Sequence, residues 1–219
     1  MQKTVIIVAG GNGQRMNSEI PKQFLEVSGK PILIHTIEKF YLYDDRIQII
    51  LVLPSKHISI WEKLVEKYNF NIKVKIAFGG ETRFQSVKNG LDLVEKGIVA
   101  IHDAVRPLVS LDTIERAFET ALLKGNAIPA ISVNDSLRII DNSGSKILNR
   151  NLIKLIQTPQ CFEVRTLKKA YAQEFDENFT DDASVLEKSG KKINLIEGNK
   201  ENIKITFAAD LLIAKALLK

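Results

Sequence analysis

The sequence predicts an α/β fold, a Rossmann-like and mainly parallel sheet flanked by helices. Three observations carry that expectation. Short apolar runs alternate with amphipathic helical stripes through roughly the first 125 residues, the rhythm of βαβ units with right-handed crossovers. The first run empties into a glycine-rich loop, at the edge where open α/β sheets bind ligands. A chain of 219 residues holds one substantial core and is too short for two ordinary domains, so a single domain spans 1–219.

The elements follow in order. Residues 4–9, Thr-Val-Ile-Ile-Val-Ala, form an apolar run suited to a strand buried on both faces. After Pro31, which favours a helix start, Leu33, Ile37, Phe40 and Tyr41 make a helical stripe. Residues 48–53 are the second strand, and Trp61, Leu64, Val65 and Tyr68 the next stripe. A strand over 73–78 leads through Gly79-Gly80 to a helix bearing Phe84, Val87 and Leu91. Residues 98–102 form a strand, Ile114, Ala117, Phe118 and Ala121 a helix, and 127–133 another strand.

The rhythm then changes. Residues 136–141 and 146–150 flank Asn142-Ser143-Gly144-Ser145 and read as a β-hairpin, an arm inserted at about 134–151. A two-stranded hairpin is marginal in isolation, so this arm needs another surface to pack on. Thr180 precedes Asp181-Asp182 at a helix start, where a hydroxyl N-cap and first-turn acids satisfy free N–H groups; direct ligand contact is the alternative. A strand around 203–205 and a closing helix with Leu211, Leu212, Ala214 and Leu218 end the chain. Lys204, between two isoleucines, either reaches solvent or meets a phosphate.

Composition narrows the class. With 45% hydrophobic and 26% charged residues the chain is globular rather than disordered or fibrous. Its formal charge of +5 is scattered rather than gathered in a basic arm, which suits anionic small substrates and not nucleic acid. The lone Cys161 excludes an intrachain disulfide and fits a reducing compartment. His35, His57 and His102 are too dispersed to suggest a metal cluster. No apolar run approaches the ~20 residues of a membrane helix, and Met1-Gln2-Lys3 leaves no room for a signal peptide, so a soluble cytoplasmic protein is expected.

The loop Gly10-Gly11-Asn12-Gly13-Gln14-Arg15-Met16, followed by Pro21-Lys22-Gln23-Phe24, holds the chemistry. Glycines let backbone N–H groups approach phosphate oxygens, and Arg15 and Lys22 add two cations, so a polyphosphate is the natural guest. It is not a P-loop, because Gly29-Lys30 is followed by Pro31. It is not a dinucleotide fingerprint either, because the glycine spacing is wrong and the second strand ends in Pro54-Ser55 rather than an acid.

These residues, with His102-Asp103-Ala104-Val105-Arg106-Pro107, Gln157-Thr158-Pro159-Gln160, Thr180-Asp181-Asp182-Ala183 and Asn202-Ile203-Lys204-Ile205-Thr206, resemble the motif set of the 2-C-methyl-D-erythritol 4-phosphate cytidylyltransferase family, in the family's order and nearly end to end. The resemblance implies transfer of a cytidylyl group from CTP to a polyol phosphate in isoprenoid precursor synthesis, with Mg²⁺ held mainly by substrate phosphates. It implies CTP binding by Ala9, Gly10, Gly11, Gly13, Arg15, Lys22, Gly80, Glu81, Ser86 and Asp103. Asp103, Arg106, Ser136, Arg150, Thr158 and Lys204 would hold the acceptor, with Arg15, Lys22, Arg150 and Lys204 as the catalytic set. It further implies a homodimer, in which the arm carries Ser136 and Arg150 to the neighbouring subunit's site.

Four positions depart from the usual pattern: Gly10 for Ala, Glu81 for Asp, Val105 for Ala and Ser136 for Thr. The alternatives are a ribitol 5-phosphate cytidylyltransferase, which shares the CTP site, and a non-catalytic nucleotide-binding module. The second has no need for Arg150 and Lys204.

Overall fold

In the computed structural model, which describes residues 1–10, 20–142 and 144–218, alternate residues of the first strand go to opposite helical layers. Val5 and Ile7 of β1 (Lys3–Val8) join one core cluster and Ile6 the other, all fully buried. An apolar run without alternation is what a strand covered on both faces requires.

Two short strands, β2 (Glu26–Val27) and β3 (Lys30–Pro31), form a small ladder, turning at Ser28 and Gly29 with φ of 50° and 82°. Then α1 (Ile32–Tyr43), β4 (Gln48–Leu53), α2 (Ile58–Lys67), β5 (Lys75–Phe78), α3 (Arg83–Asp92), β6 (Ile98–Asp103) and α4 (Leu111–Lys124) alternate as expected. β1 pairs in parallel with β4 and β6, and β4 with β5. Helices α1, α2 and α4 cover one face, while α3, α5 (Val164–Ala170) and α6 (Asp182–Lys188) cover the other. The expected strand over 73–78 begins only at Lys75.

The second half departs further from the expectation. β7 (Asn126–Ser132) is followed by the arm, β8 (Leu137–Asp141) and β9 (Gly144–Leu148), which pair only with each other among the described residues. Then β10 (Lys154–Ile156) and β11 (Gln160–Glu163) run antiparallel along β7. β11 also pairs antiparallel with β6, wedged in the middle of the sheet. Between Ile156↔Ala130 and Cys161↔Ala127, five steps on one strand face three on the other, so the chain bulges at residues 157–159, where Thr158-Pro159 is cis. β12 (Leu195–Glu197) adds in parallel on the other side of β7, completing an eight-stranded sheet.

Two details correct the sequence reading. No strand forms around 203–205; instead Ile205 N–H bonds Val105 C=O at 3.0 Å, laying the segment beside the end of β6 before α7 (Ala208–Leu217). The N-cap of α6 is Asp181, whose carboxylate accepts from Ser184 N–H at 2.9 Å in a capping box, and not Thr180.

Helix α3 packs unusually close to the sheet at Gly90. A Cβ there would lie 2.8 Å from Ile6 Cγ2 and 3.1 Å from Val52 Cγ2. Overpacking costs about 1–3 kcal/mol, against about 1 kcal/mol regained in helix propensity. Gly90→Ala is therefore expected to lower stability, by up to about 2 kcal/mol, read as an earlier denaturant midpoint with an unchanged slope.

Candidate active site

The carboxyl ends of β1, β5 and β6 and the segment after Asn202 converge on a cleft of about 310 Å³. Of the residues named from sequence, Ala9, Gly10, Lys22, Gly80, Glu81, Ser86, Asp103 and Lys204 line it. Gly11, Gly13 and Arg15 lie outside the described residues. A wider groove, about 1020 Å³ beside Lys3, Tyr43 and Phe118 at the amino end of β1, contains none of the named residues. Chemistry rather than volume therefore places the site.

Backbone exits are pinned by side chains. Gln23, which follows Lys22 in a short turn, donates to Ala9 C=O at 2.8 Å and so holds the end of β1. Thr82 caps α3 by accepting from Gln85 N–H at 3.0 Å, and Ser86 accepts from Gly80 N–H at 3.0 Å while donating to Thr82 C=O at 2.9 Å. The turn after β5 is thus preformed, and Gly80 has no room for a side chain because a Cβ would fall 2.1 Å from Gln85 Cγ.

Asp103 is the electrostatic hub. Its Oδ2 lies 3.0 Å from Lys204 Nζ and 3.2 Å from Arg106 Nε. Burial would raise its pKa, but Lys204, Arg83 and Arg106 outweigh that and hold the carboxyl well below the usual range. Lys204, expected to meet solvent or a phosphate, pairs with the Asp103 carboxylate beside the cleft while 47% of its side chain stays exposed. Lys22 Nζ donates to Ile205 C=O at 3.1 Å, tying the two cation-bearing segments together.

Thr158 sits behind Asp103. Arg106 C=O can only accept, so His102 Nε2 donates to it at 3.1 Å, and Nδ1 accepts from the Thr158 hydroxyl at 3.0 Å. That hydroxyl in turn accepts from Asp103 N–H at 3.2 Å. Arg106 also reaches Asn202 C=O at 2.8 Å, and Asn202 donates to Thr158 C=O at 2.8 Å. This closed set clamps Asp103 and Arg106 in position.

Burial lowers the His102 pKa from 6.5 to about 4, keeping the ring neutral. Between those values the unfolded chain binds a proton that the folded chain does not, so stability falls as pH drops from about 6.5 towards 4, by up to about 3 kcal/mol from this group. Denaturation at pH 7 and pH 5 should show the loss in the parent and a smaller one in His102→Gln.

Ser136 and Arg150 line no part of the cleft of their own chain. Arg150, in a short turn after the arm, donates to Asn134 C=O. Around them Ile140 and Ile147 are each 81% exposed and Leu152 80%, an apolar band with no cover among the described residues. Sequence reasoning gave no role to Gln23, Arg83 or Asn202. All three stand in or beside quoted motifs, but their partners come from distant segments.

A family model described as 2-C-methyl-D-erythritol 4-phosphate cytidylyltransferase matches residues 3–219. The 2-C-methyl-D-erythritol 4-phosphate cytidylyltransferases of Bacteroides thetaiotaomicron and Bacteroides fragilis are each 53% identical over 219 residues, with both chains covered in full. Among solved structures, 4-diphosphocytidyl-2C-methyl-D-erythritol synthase from Anaerococcus prevotii has a TM-score of 0.83 at 28% identity, covering 99% of this chain and 96% of its own.

Proposed function

This chain belongs to the 2-C-methyl-D-erythritol 4-phosphate cytidylyltransferase family, and from that membership we propose that it transfers the cytidylyl group of CTP to 2-C-methyl-D-erythritol 4-phosphate. The products are 4-diphosphocytidyl-2-C-methyl-D-erythritol and pyrophosphate. The observation that carries the reading is the cleft itself, where Lys22 lines the wall beside the buried Asp103 carboxylate and its partner Lys204, at the ligand-binding edge of the sheet.

The acceptor's phosphate oxygen attacks the α-phosphorus of CTP as pyrophosphate leaves. Two anions must meet, so the protein's task is to neutralise charge and fix geometry rather than to supply a covalent nucleophile. Lys22, with Arg15, stabilises charge developing on the α-phosphate. Backbone at Ala9, Gly10 and Gly80, with Glu81 and Ser86, holds the nucleoside. Asp103 accepts from hydroxyl groups, and Arg106 and Lys204 hold the acceptor's phosphate over it.

The donor set suits an ion carried in by the substrate. Asp103 Oδ2 is held by Lys204 and Arg106, and the described residues hold no group of three or more metal-binding side chains. Mg²⁺ would rest on triphosphate oxygens and water, with Glu81 the cleft's other carboxylate, and would supply charge neutralisation. The exposed isoleucines of the arm support a homodimer in which Ser136 and Arg150 complete the partner's site. No described helix is long and apolar enough to cross a membrane.

The test is pyrophosphate release from CTP with Mg²⁺ and a panel of polyol phosphates. Fastest turnover with 2-C-methyl-D-erythritol 4-phosphate is expected. Faster turnover with ribitol 5-phosphate would move the acceptor assignment, and nucleotide binding without turnover would leave a binding module.

A further inference from the structure

The cleft holds an ion pair that the reaction above leaves unused. Arg83, the first residue of α3, lines the cleft and donates through Nη1 to Asp182 Oδ1 at 3.1 Å and through Nη2 to Oδ2 at 2.6 Å. Asp182 has no exposed surface, and Tyr171 at the end of α5 donates its phenol to the same Oδ1 at 2.6 Å. Gln160 of β11 fastens the start of α6 from below, donating to Asp181 Oδ2 at 2.7 Å and accepting from Ala183 N–H at 2.9 Å. Phe84, the next residue of α3, stacks on Tyr171 with centroids 4.6 Å apart. Strand, two helix ends and an aromatic stack therefore converge on one guanidinium.

Such a pair is a poor source of net stability, since desolvating both ions offsets most of their attraction. What it does supply is a cation with a fixed plane and direction. Arg has five N–H donors, and only the two bonds to Asp182 are formed among the described residues. The side chain keeps 32% of its surface exposed and lines the cleft, within reach of a ligand bound there. Arg83 leaves the same turn that presents Gly80 and Glu81, on the β5 side of the cleft, whereas Arg106 and the Asp103–Lys204 pair stand on the β6 side.

We propose that Arg83 is a further substrate-contacting residue on the nucleotide side of the cleft, donating to oxygen acceptors of the nucleoside, and that Asp182 and Tyr171 are positioning residues that fix its guanidinium. The inference rests on the nucleotide lying over the turn after β5, as the proposed reaction has it. It gives Asp182 a function that its place in the first turn of α6 does not by itself explain.

Tyr171→Phe tests it with least disturbance, because only a hydroxyl is lost. The expected result is a rise of roughly 3–10-fold in KM for CTP, with kcat and KM for the polyol phosphate within about twofold of the parent. Arg83→Gln should raise the KM for CTP by more than about tenfold, and adding Tyr171→Phe to it should do nothing further, because the phenol acts only through the guanidinium. Arg83→Lys should not restore the parent value, since an ammonium lacks the planar fork. A lowered Tm with unchanged KM for CTP, a parallel rise in both KM values, or additive effects in the double variant would each overturn the proposal. The parent enzyme separates the two claims: its failure to turn over CTP would overturn the reaction and this inference together, whereas normal parent turnover with unchanged variants would overturn only the Arg83 network.

Discussion

Lys22→Ala is expected to lower kcat by about 10²–10³-fold, the usual cost of removing one preorganised donor aimed at charge that develops in the transition state. Lys22 stands in a short turn at the cleft and reaches Ile205 C=O at 3.1 Å, so its ammonium is already placed beside the segment that carries Lys204. The bond to Ile205 C=O is worth about 0.5–1.5 kcal/mol, against about 5–15 kcal/mol for a native domain, so the variant should remain folded at 25 °C. Rapid-quench or steady-state kinetics beside a thermal melt would separate the two effects. A kcat near that of the parent would remove Lys22 from the catalytic role.

Arg150→Ala should be nearly as damaging, and mixing it with Lys22→Ala tests the arm, the dimer and the chemistry at once. Arg150 lies outside the cleft of its own chain, next to an arm whose isoleucines face solvent. If it serves the partner's site, a mixed dimer has one site with both lesions and one with neither. Random exchange makes about half of the dimers mixed, so about a quarter of all sites should recover. If both residues served one subunit's site, every site would carry a lesion and mixing would restore nothing. No recovery, with subunit exchange confirmed by mass spectrometry, would reduce the arm to a structural clasp.

The parallel half of the sheet was legible because its signal is local. Residues 4–9 and 48–53 are uninterrupted apolar runs, and the stripes at Leu33, Ile37 and Phe40 or Ile114, Ala117 and Phe118 repeat at helical spacing. β10, β11 and β12 were not legible, because they are three or four residues long and are held in place by β6 and β7, which lie far away in sequence. Pro159, immediately before β11, is moreover a residue type that strands disfavour.

The site shows the same division. Glycines and cations after β1 announced a phosphate-binding edge, and Lys204 stood out as a cation between isoleucines. The Arg83–Asp182 pair, 99 residues apart, carries no local signature. Asp182 read as a helix-start acid because that is how the sequence presents it, and only the fold shows the carboxylate turned inward to the guanidinium at the start of α3. Thr158 likewise read as a ligand group, while the structure engages its hydroxyl between His102 and Asp103.

The most direct measurement follows the label from CTP carrying ³²P at the α-phosphate, incubated with the parent enzyme, Mg²⁺ and 2-C-methyl-D-erythritol 4-phosphate. The label is expected to move into a product that also contains the polyol, in step with unlabelled pyrophosphate, and to do so only when the acceptor is present. Label that stays in CTP, or that appears as free CMP whether or not the acceptor is added, would contradict cytidylyl transfer at this cleft.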